Sequence, residues 1–255
     1  VEAMTRIITV VTPVHPQNAP FLREAYESIR AQVLPAGWDW QWVVQEDGDS
    51  GLVESALPED PRISFGTVRA SGPAVTRTTA LARAAGELIR NLDSDDRLLP
   101  GALFRDIELL AGAPEIDWTA SRALDLLPDG STRGHEANDL PEGVIERGAV
   151  LRTWEEQGWI LPLVPGTLCM RRRLLLALGG WMALDTSEDT GLVIAANAVA
   201  DGYFIGEPSM LYRRHPHQTT AQEFHTDARR RQRKRSLIIE RAQALASLGN
   251  GPLRP

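Results

Sequence analysis

The sequence predicts an α/β fold, a Rossmann-like, mostly parallel sheet covered by helices, followed by a smaller mixed half. Three observations carry this. Short strand-like runs alternate with helix-period segments in the first part of the chain, and two of those runs end in acidic turns, "QEDGDSG" and "LDSDD". Past Leu110 the alternation gives way to hairpins and a Gly- and Trp-rich stretch. Alternating strand and helix places helices on both faces of a parallel sheet, whose ligands bind outside the carboxyl ends of the strands. Topology alone therefore sends both acidic turns to one crevice.

The elements follow in order. "RIITVVTPV" reads as a buried strand ended by Pro13. "APFLREAYESIRAQV" spaces Phe21, Leu22, Ala25, Ile29 and Val33 as a helix, with Pro20 suited to the first turn. A second strand runs from about Trp40 to Gln45, and "RISFGTV" makes a short, edge-like third. "SGPAVTRTTALARAAG" is expected as a helix closed by Gly86. "ELIRNLD" is a fourth strand that delivers the acidic cluster. "EIDWTASRALDLLPDGSTRGHE" reads as two strands around a Pro-Asp-Gly turn. "GTLCMRRRLLLALGGW" gives a strand and a helix ending at Gly179-Gly180. "SEDTGLVIAANAVADG" starts with a capping pattern and continues as an apolar helix. "YFIGEPSMLYRRHPHQTT" is expected as a strand pair, and "AQEFHTDARRRQRKRSLIIERAQALASL" as a long, initially basic helix.

The 255 residues can bury a substantial core, and the 43% hydrophobic and 24% charged fractions are those of a soluble globular protein. A net charge of −7 argues against a generic nucleic-acid binder. Lys234 is the only lysine and Cys169 the only cysteine, so no internal disulfide can form. The apolar run near the N-terminus is too short for a signal peptide or a membrane span. These features lead to the expectation of a soluble, cytoplasmic protein with no integral membrane segment.

Each constellation has a plain reading beside a chemical one. "DSDD" is a solvated turn with Asp95 or Asp96 capping the helix near Pro100, or a divalent metal site, since hard cations take oxygen ligands shared with substrate phosphates. Its place at the end of a buried strand favours the metal. "EDGDS" is an ordinary turn, or a carboxylate accepting from a base or ribose. "SEDTG" is a helix start capped by Ser187, or it carries a general base. "YRRHPHQTT" holds surface histidines, or one imidazole (His215 or His217) in a carboxylate site with Arg213 or Arg214 facing phosphate. "ARRRQRKR" is most simply a solvated helix face, the alternative being contact with an anionic membrane surface or an acidic partner. The tryptophans are core by default, with Trp154 and Trp159 placed where a sugar could stack.

Read in order, "ITVVTPVHP", "VVQEDGDSG", "TRTTALARAAGELIRNLDSDDRLLPGAL", "SEDTGL" and "LYRRHPHQTT" resemble the family 2 glycosyltransferases of GT-A fold. The resemblance covers most of the chain. It implies one continuous GT-A domain: a nucleotide-sugar-binding half (1–110) ending in the DxD motif, an acceptor-binding and catalytic-base half (111–220), and a C-terminal basic helix and tail (221–255). It implies that Thr12, Pro13 and His15 line the nucleotide pocket and that Asp47 hydrogen-bonds uracil. Arg77, in a variant of the family's "RNxAL" pattern with Thr78 in place of asparagine, would contact the donor. Asp93 would lie near the ribose beside Ser94, and Arg213 by the phosphates. Asp95 would be the principal ligand of Mn²⁺ or Mg²⁺, with His215 a second ligand close to the pyrophosphate. Asp189 would be the catalytic base, with Glu188 its neighbour.

The implied reaction is inverting transfer of one sugar from a UDP-hexose or UDP-N-acetylhexosamine to a small-molecule, glycan or peptide acceptor. The processive "QxxRW" motif is absent from the sequence, which favours a single transfer to a soluble acceptor. Oligomeric state stays open. A sugar-nucleotide-forming nucleotidyltransferase would carry a Gly-rich phosphate loop with Arg and Lys near the N-terminus, which "TPVHPQNAP" is not. A catalytically silent sugar-nucleotide binder would not need a base opposite the metal.

Overall fold

The computed structural model describes residues 5–134, 139–215 and 228–249. Strands β1 (Arg6–Val14), β2 (Trp38–Asp47), β3 (Ile63–Val68) and β4 (Leu88–Asn91) pair in parallel, in the order β3-β2-β1-β4. A second parallel pair joins β6 (Ile116–Leu126) to β10 (Asp201–Arg213). Between them sits β9 (Cys169–Arg171), antiparallel to both β4 and β6, so three residues stitch the two parallel parts into one sheet. Short strands β5 (Arg97–Leu98) and β8 (Gly143–Ile145) run antiparallel to β10, and β7 (Thr132–Gly134) to β6. The expectation of a mostly parallel first part and a smaller mixed part describes this sheet.

Alternate residues of the central strands point to opposite faces of the sheet, and both faces are covered, so these strands are buried almost continuously. Ile8, Val10, Trp42 and Val44 face α1 (Leu22–Arg30) and α4 (Ala102–Gly112) on one side. Val11, Val43 and Ile89 face the other side, with α3 (Pro73–Ala80), α5 (Ala149–Glu156), α6 (Arg172–Ala177) and α7 (Glu188–Val199). Each fully buried Val, Leu or Ile on these faces contributes about 1.5–3 kcal/mol relative to exposure. Helix α7 is apolar nearly all round because α5 and α8 (Ala228–Gly249) also pack on it, as its buried run Leu192–Ala196 requires. A short helix, α2 (Leu52–Ala56), follows β2.

Several expectations are corrected. The helix expected to close at Gly86 ends at Ala80, and Gly86 serves a different need. A Cβ there would lie 2.6 Å from the Thr9 amide nitrogen, so a side chain cannot fit. The expected strand pair near the end is one 13-residue strand, β10, whose register slips around Pro208, as a residue without an N–H demands. Neither Asp95 nor Asp96 caps the helix after Pro100: Gly101, with φ +74°, occupies the N-cap position of α4. The Pro-Asp-Gly hairpin forms as expected, with Gly130 at φ +83°.

Beneath the future site lies a buried polar knot. Arg90 on β4 is fully buried and pairs with Asp106 of α4 at 3.2 Å; it also donates to Ser209 of β10 at 2.7 Å, while Thr119 of β6 donates to Asp106 at 2.7 Å. Four elements are thereby fixed relative to one another just before β4 delivers its acidic turn.

Candidate active site

A cavity of about 780 Å³ opens at the carboxyl ends of β1, β2 and β4, where the parallel topology requires it. Asp47, Asp93, Asp95, Asp96, Glu188 and Asp189 all line it, and Arg77 brings the one guanidinium among the described lining residues. Both acidic turns therefore meet, and the start of α7 faces them.

The turn after β4 is held from behind by the end of β10. Asp95 Oδ2 lies 2.8 Å from His215 Nε2, and Arg213 donates to the Asp95 carbonyl at 2.7 Å. The Arg213 amide donates to Asp96 Oδ1 at 2.9 Å, while Asp96 Oδ2 is buried without a partner. Burial and the neighbouring Asp95 and Asp93 push the Asp96 carboxyl well above the ordinary carboxylate range. Burial and Asp93 also raise Asp95, with His215 partly offsetting them. Asn18 donates to the Ser94 hydroxyl at 3.3 Å, tying this turn to the loop after β1.

On the facing side, Arg77 of α3 is buried between two carboxylates, donating to Glu188 at 2.5 Å and to Asp93 at 2.5 Å. Burial alone would lower its pKa; Asp93 and Glu188 outweigh that and raise it, so the cation is locked. Glu188 is thus committed to Arg77. Asp189 is not: its Oδ1 accepts the Thr190 amide at 2.6 Å, and its carboxyl faces the cavity half-buried. Burial raises Asp189, Glu188 adds to the rise, and Arg77 pulls part of it back, to about 7.

The expected site residues divide three ways. Pro13, His15, Asp47, Arg77, Asp93, Ser94, Asp95, Glu188 and Asp189 line the cavity. Thr12 does not: it is fully buried, and its hydroxyl accepts the Trp42 indole N–H at 2.9 Å. That reading is corrected, because Thr12 and Pro13 alternate across the strand. Arg213 and His215 back the acidic turn instead of lining the space, and Arg213 also pairs with Glu24 at 2.7 Å. Asp47 holds the next loop, accepting the Ser71 amide at 2.7 Å and the Gly72 amide at 3.2 Å. Ser187 sits at the N-cap of α7 with φ +65° and no capping side-chain bond, so the expected serine cap is corrected. Trp154 is buried in a T-shaped pair with Trp159, and neither lines the cavity. His217 lies outside the described residues.

Three features were missed from sequence. Asp96 is given no role of its own by the sequence reading, although its place in "DSDD" was the available signal. Thr78, standing where the family pattern has asparagine, accepts the Trp181 amide at 3.0 Å and fixes the chain ahead of α7. The basic helix also reaches the site: Lys234, 9% exposed, donates to the Thr186 hydroxyl and pairs with Asp185 at 3.2 Å. The reading of "ARRRQRKR" as only a solvated face is corrected at this residue.

The donor set fits a hard divalent cation. Asp95 and Asp96 offer carboxylate oxygens, and the unpartnered Asp96 Oδ2 is a buried acceptor facing the crowded turn. Among the described residues no three His, Cys, Asp or Glu side chains converge on one metal position. Such a cation would therefore draw its remaining ligands from water and from a phosphate-bearing substrate, as Mg²⁺ commonly does.

The sheet and crevice define a GT-A fold, shared with solved glycosyltransferases. The chain belongs to glycosyl transferase family 2, whose model matches residues 9–178. S. aureus TarS in complex with UDP-GlcNAc superposes with a TM-score of 0.67 at 18% identity, over 84% of this chain and 60% of that one. The mannosyltransferase PcManGT from Pyrobaculum calidifontis, in complex with GDP-Man and Mn²⁺, superposes with a TM-score of 0.59 at 20% identity, over 93% of this chain and 64% of that one. The O-antigen biosynthesis protein RfbC of Myxococcus xanthus is 28% identical over 116 residues, 43% of this chain and 9% of its own length. The chain thus spans under a tenth of that curated relative. No described helix is long and apolar enough to cross a membrane.

Proposed function

We propose that this chain transfers one sugar from a UDP-sugar, a hexose or N-acetylhexosamine, to a hydroxyl or similar nucleophile of an acceptor, with inversion at the anomeric carbon. The observation that carries the reading is the opposition of Asp189 to the turn Asp93–Asp96 across a single cavity. Family membership and the nucleotide sugars held by the structural neighbours point the same way.

In this reading Pro13, His15 and Asp47 hold the nucleoside, Asp47 accepting the N3–H of uracil. Asp95 and Asp96, backed by His215, would hold Mg²⁺ or Mn²⁺, which supplies positive charge to the diphosphate when bound. Asp189 accepts the proton of the acceptor hydroxyl as its oxygen bonds the anomeric carbon. The bond from that carbon to the phosphate oxygen breaks, and its electron pair leaves with UDP. Glu188, locked to Arg77, does not compete for the proton. The separate base fits one displacement, without a covalent sugar–enzyme intermediate.

The experiment is a thermal-shift screen of nucleotide sugars with and without Mn²⁺, followed by UDP release in the absence of acceptor. A donor at about 100 times its Kd stabilises by about 2.7 kcal/mol, enough to stand out. If no nucleotide sugar shifts the transition and none is hydrolysed, the proposal fails.

A further inference from the structure

The basic segment of α8 touches the site at a point that the proposed chemistry does not use. Lys234 is the only lysine and is nearly buried, which is costly for an ammonium unless it is paired. Its partners are the Thr186 hydroxyl and the Asp185 carboxylate, and both residues line the cavity. Asp185 is held by Arg230 as well, at 3.2 Å. One helical turn further on, Ile238 is buried against Gly191 of α7: a Cβ on that glycine would lie 3.6 Å from Ile238 Cγ1. Helix α8 therefore grips the chain on both sides of Ser187–Asp189. Between the two grips, Ser187 adopts φ +65°, a conformation a serine keeps only when its surroundings enforce it.

We propose that Lys234 is a positioning residue, holding Asp185–Ser187 so that Asp189 meets the acceptor. The inference rests on the reading of Asp189 as base. Lys234 touches neither donor nor acceptor; it fixes the segment from which α7 starts. It also gives the basic helix, beyond the matched family region of residues 9–178, a task in the transfer.

The test compares wild type with Lys234→Met, Thr186→Val and the double variant. Hydrogen–deuterium exchange is read first, because it needs no substrate. Amides of residues 185–191 should exchange roughly tenfold faster in Lys234→Met, while those of β1 and β4 stay unchanged. Turnover is then read as UDP released from UDP-GlcNAc or UDP-glucose with Mn²⁺. It should fall roughly 10- to 100-fold with donor Kd held, and the double variant should be no worse than the worse single. Unchanged exchange at 185–191, or a uniform rise across the molecule, overturns the proposal, as does full additivity in turnover. If wild type hydrolyses no donor, the transferase reading falls and exchange alone decides whether Lys234 orders this segment. If Lys234→Met does not fold, Thr186→Val removes the acceptor while keeping the cation, and the same comparison applies.

Discussion

Arg77 holds the carboxylate of Glu188 at 2.5 Å across 111 positions of sequence, joining α3 to the start of α7. The pair separates two adjacent acids that the sequence could not tell apart. Glu188 is a buried ion-pair partner, and in the proposed reaction Asp189 is the acid left to act.

Glu188→Gln should therefore destabilise the fold, by about 3–5 kcal/mol if the loss matches that of other broken buried pairs. Asp189→Asn should leave donor affinity alone and lower turnover by about 10²–10⁴-fold. Denaturant melts and saturating-donor kinetics on both variants check this. A dead Glu188→Gln beside a nearly normal Asp189→Asn would reverse the assignment.

The raised carboxyl of Asp189 has two pH signatures of opposite sense. As a base it must be ionised, so turnover should fall about tenfold per unit below about pH 7. In stability the sign reverses. A carboxyl whose folded pKa lies above its unfolded value binds its proton more tightly in the folded state, so stability falls as pH rises from about 4 towards 7. Asp189→Asn should remove that loss and melt higher than wild type at alkaline pH. A flat pH–rate profile through neutrality would contradict the base.

Metal dependence is read at the acidic turn. Asp95→Asn and Asp96→Asn should each weaken Mn²⁺ binding by calorimetry, and Asp95→Asn should abolish turnover with the fold intact. Activity persisting in EDTA would remove the cation from the reaction.

For the donor, UDP should bind more tightly than GDP. Asp47→Ala should weaken UDP and also cost about 1–3 kcal/mol of stability, because the Ser71 and Gly72 amides lose their acceptor. Equal affinity for the two nucleotides in calorimetry would withdraw the uridine assignment and leave the transferase standing.

Thr12→Val tests a correction. The Trp42 indole would lose its buried acceptor, costing about 1–3 kcal/mol, yet UDP affinity should not move. A lowered affinity in a well-folded variant would return Thr12 to the pocket.

The first half of the fold was legible because its central strands are short apolar runs buried on both faces, and because parallel topology dictates where their ends converge. The convergence of Asp47, Asp93, Asp95 and Asp189 on one cavity was readable for the same reason: each sits at or just past the end of a strand, or at the start of a helix. Long-range partnership was not readable. Nothing local distinguishes Glu188 from Asp189; Arg77 does so from another element. A basic helical run looks solvated whether or not one lysine in it turns inward, and only the approach of residues 185–186 gives Lys234 its partners. Serine before "ED" signals a cap whether its backbone is extended or, as observed here, left-handed at φ +65°. Pro208 should have ended a strand, and β10 continues because the slip in register absorbs the missing donor.

The seam at β9 gives the protein a built-in gauge. Cys169, its only thiol, is fully buried and lies in register with Arg90 on one side and Thr119 on the other. Burial also raises the thiol well above its usual pKa, so it is inert while the strands stay paired. A disulfide reagent can reach it only when the two parallel parts of the sheet come apart. The labelling rate therefore counts those openings directly, and slower labelling with donor bound would measure how far the nucleotide clamps one part against the other.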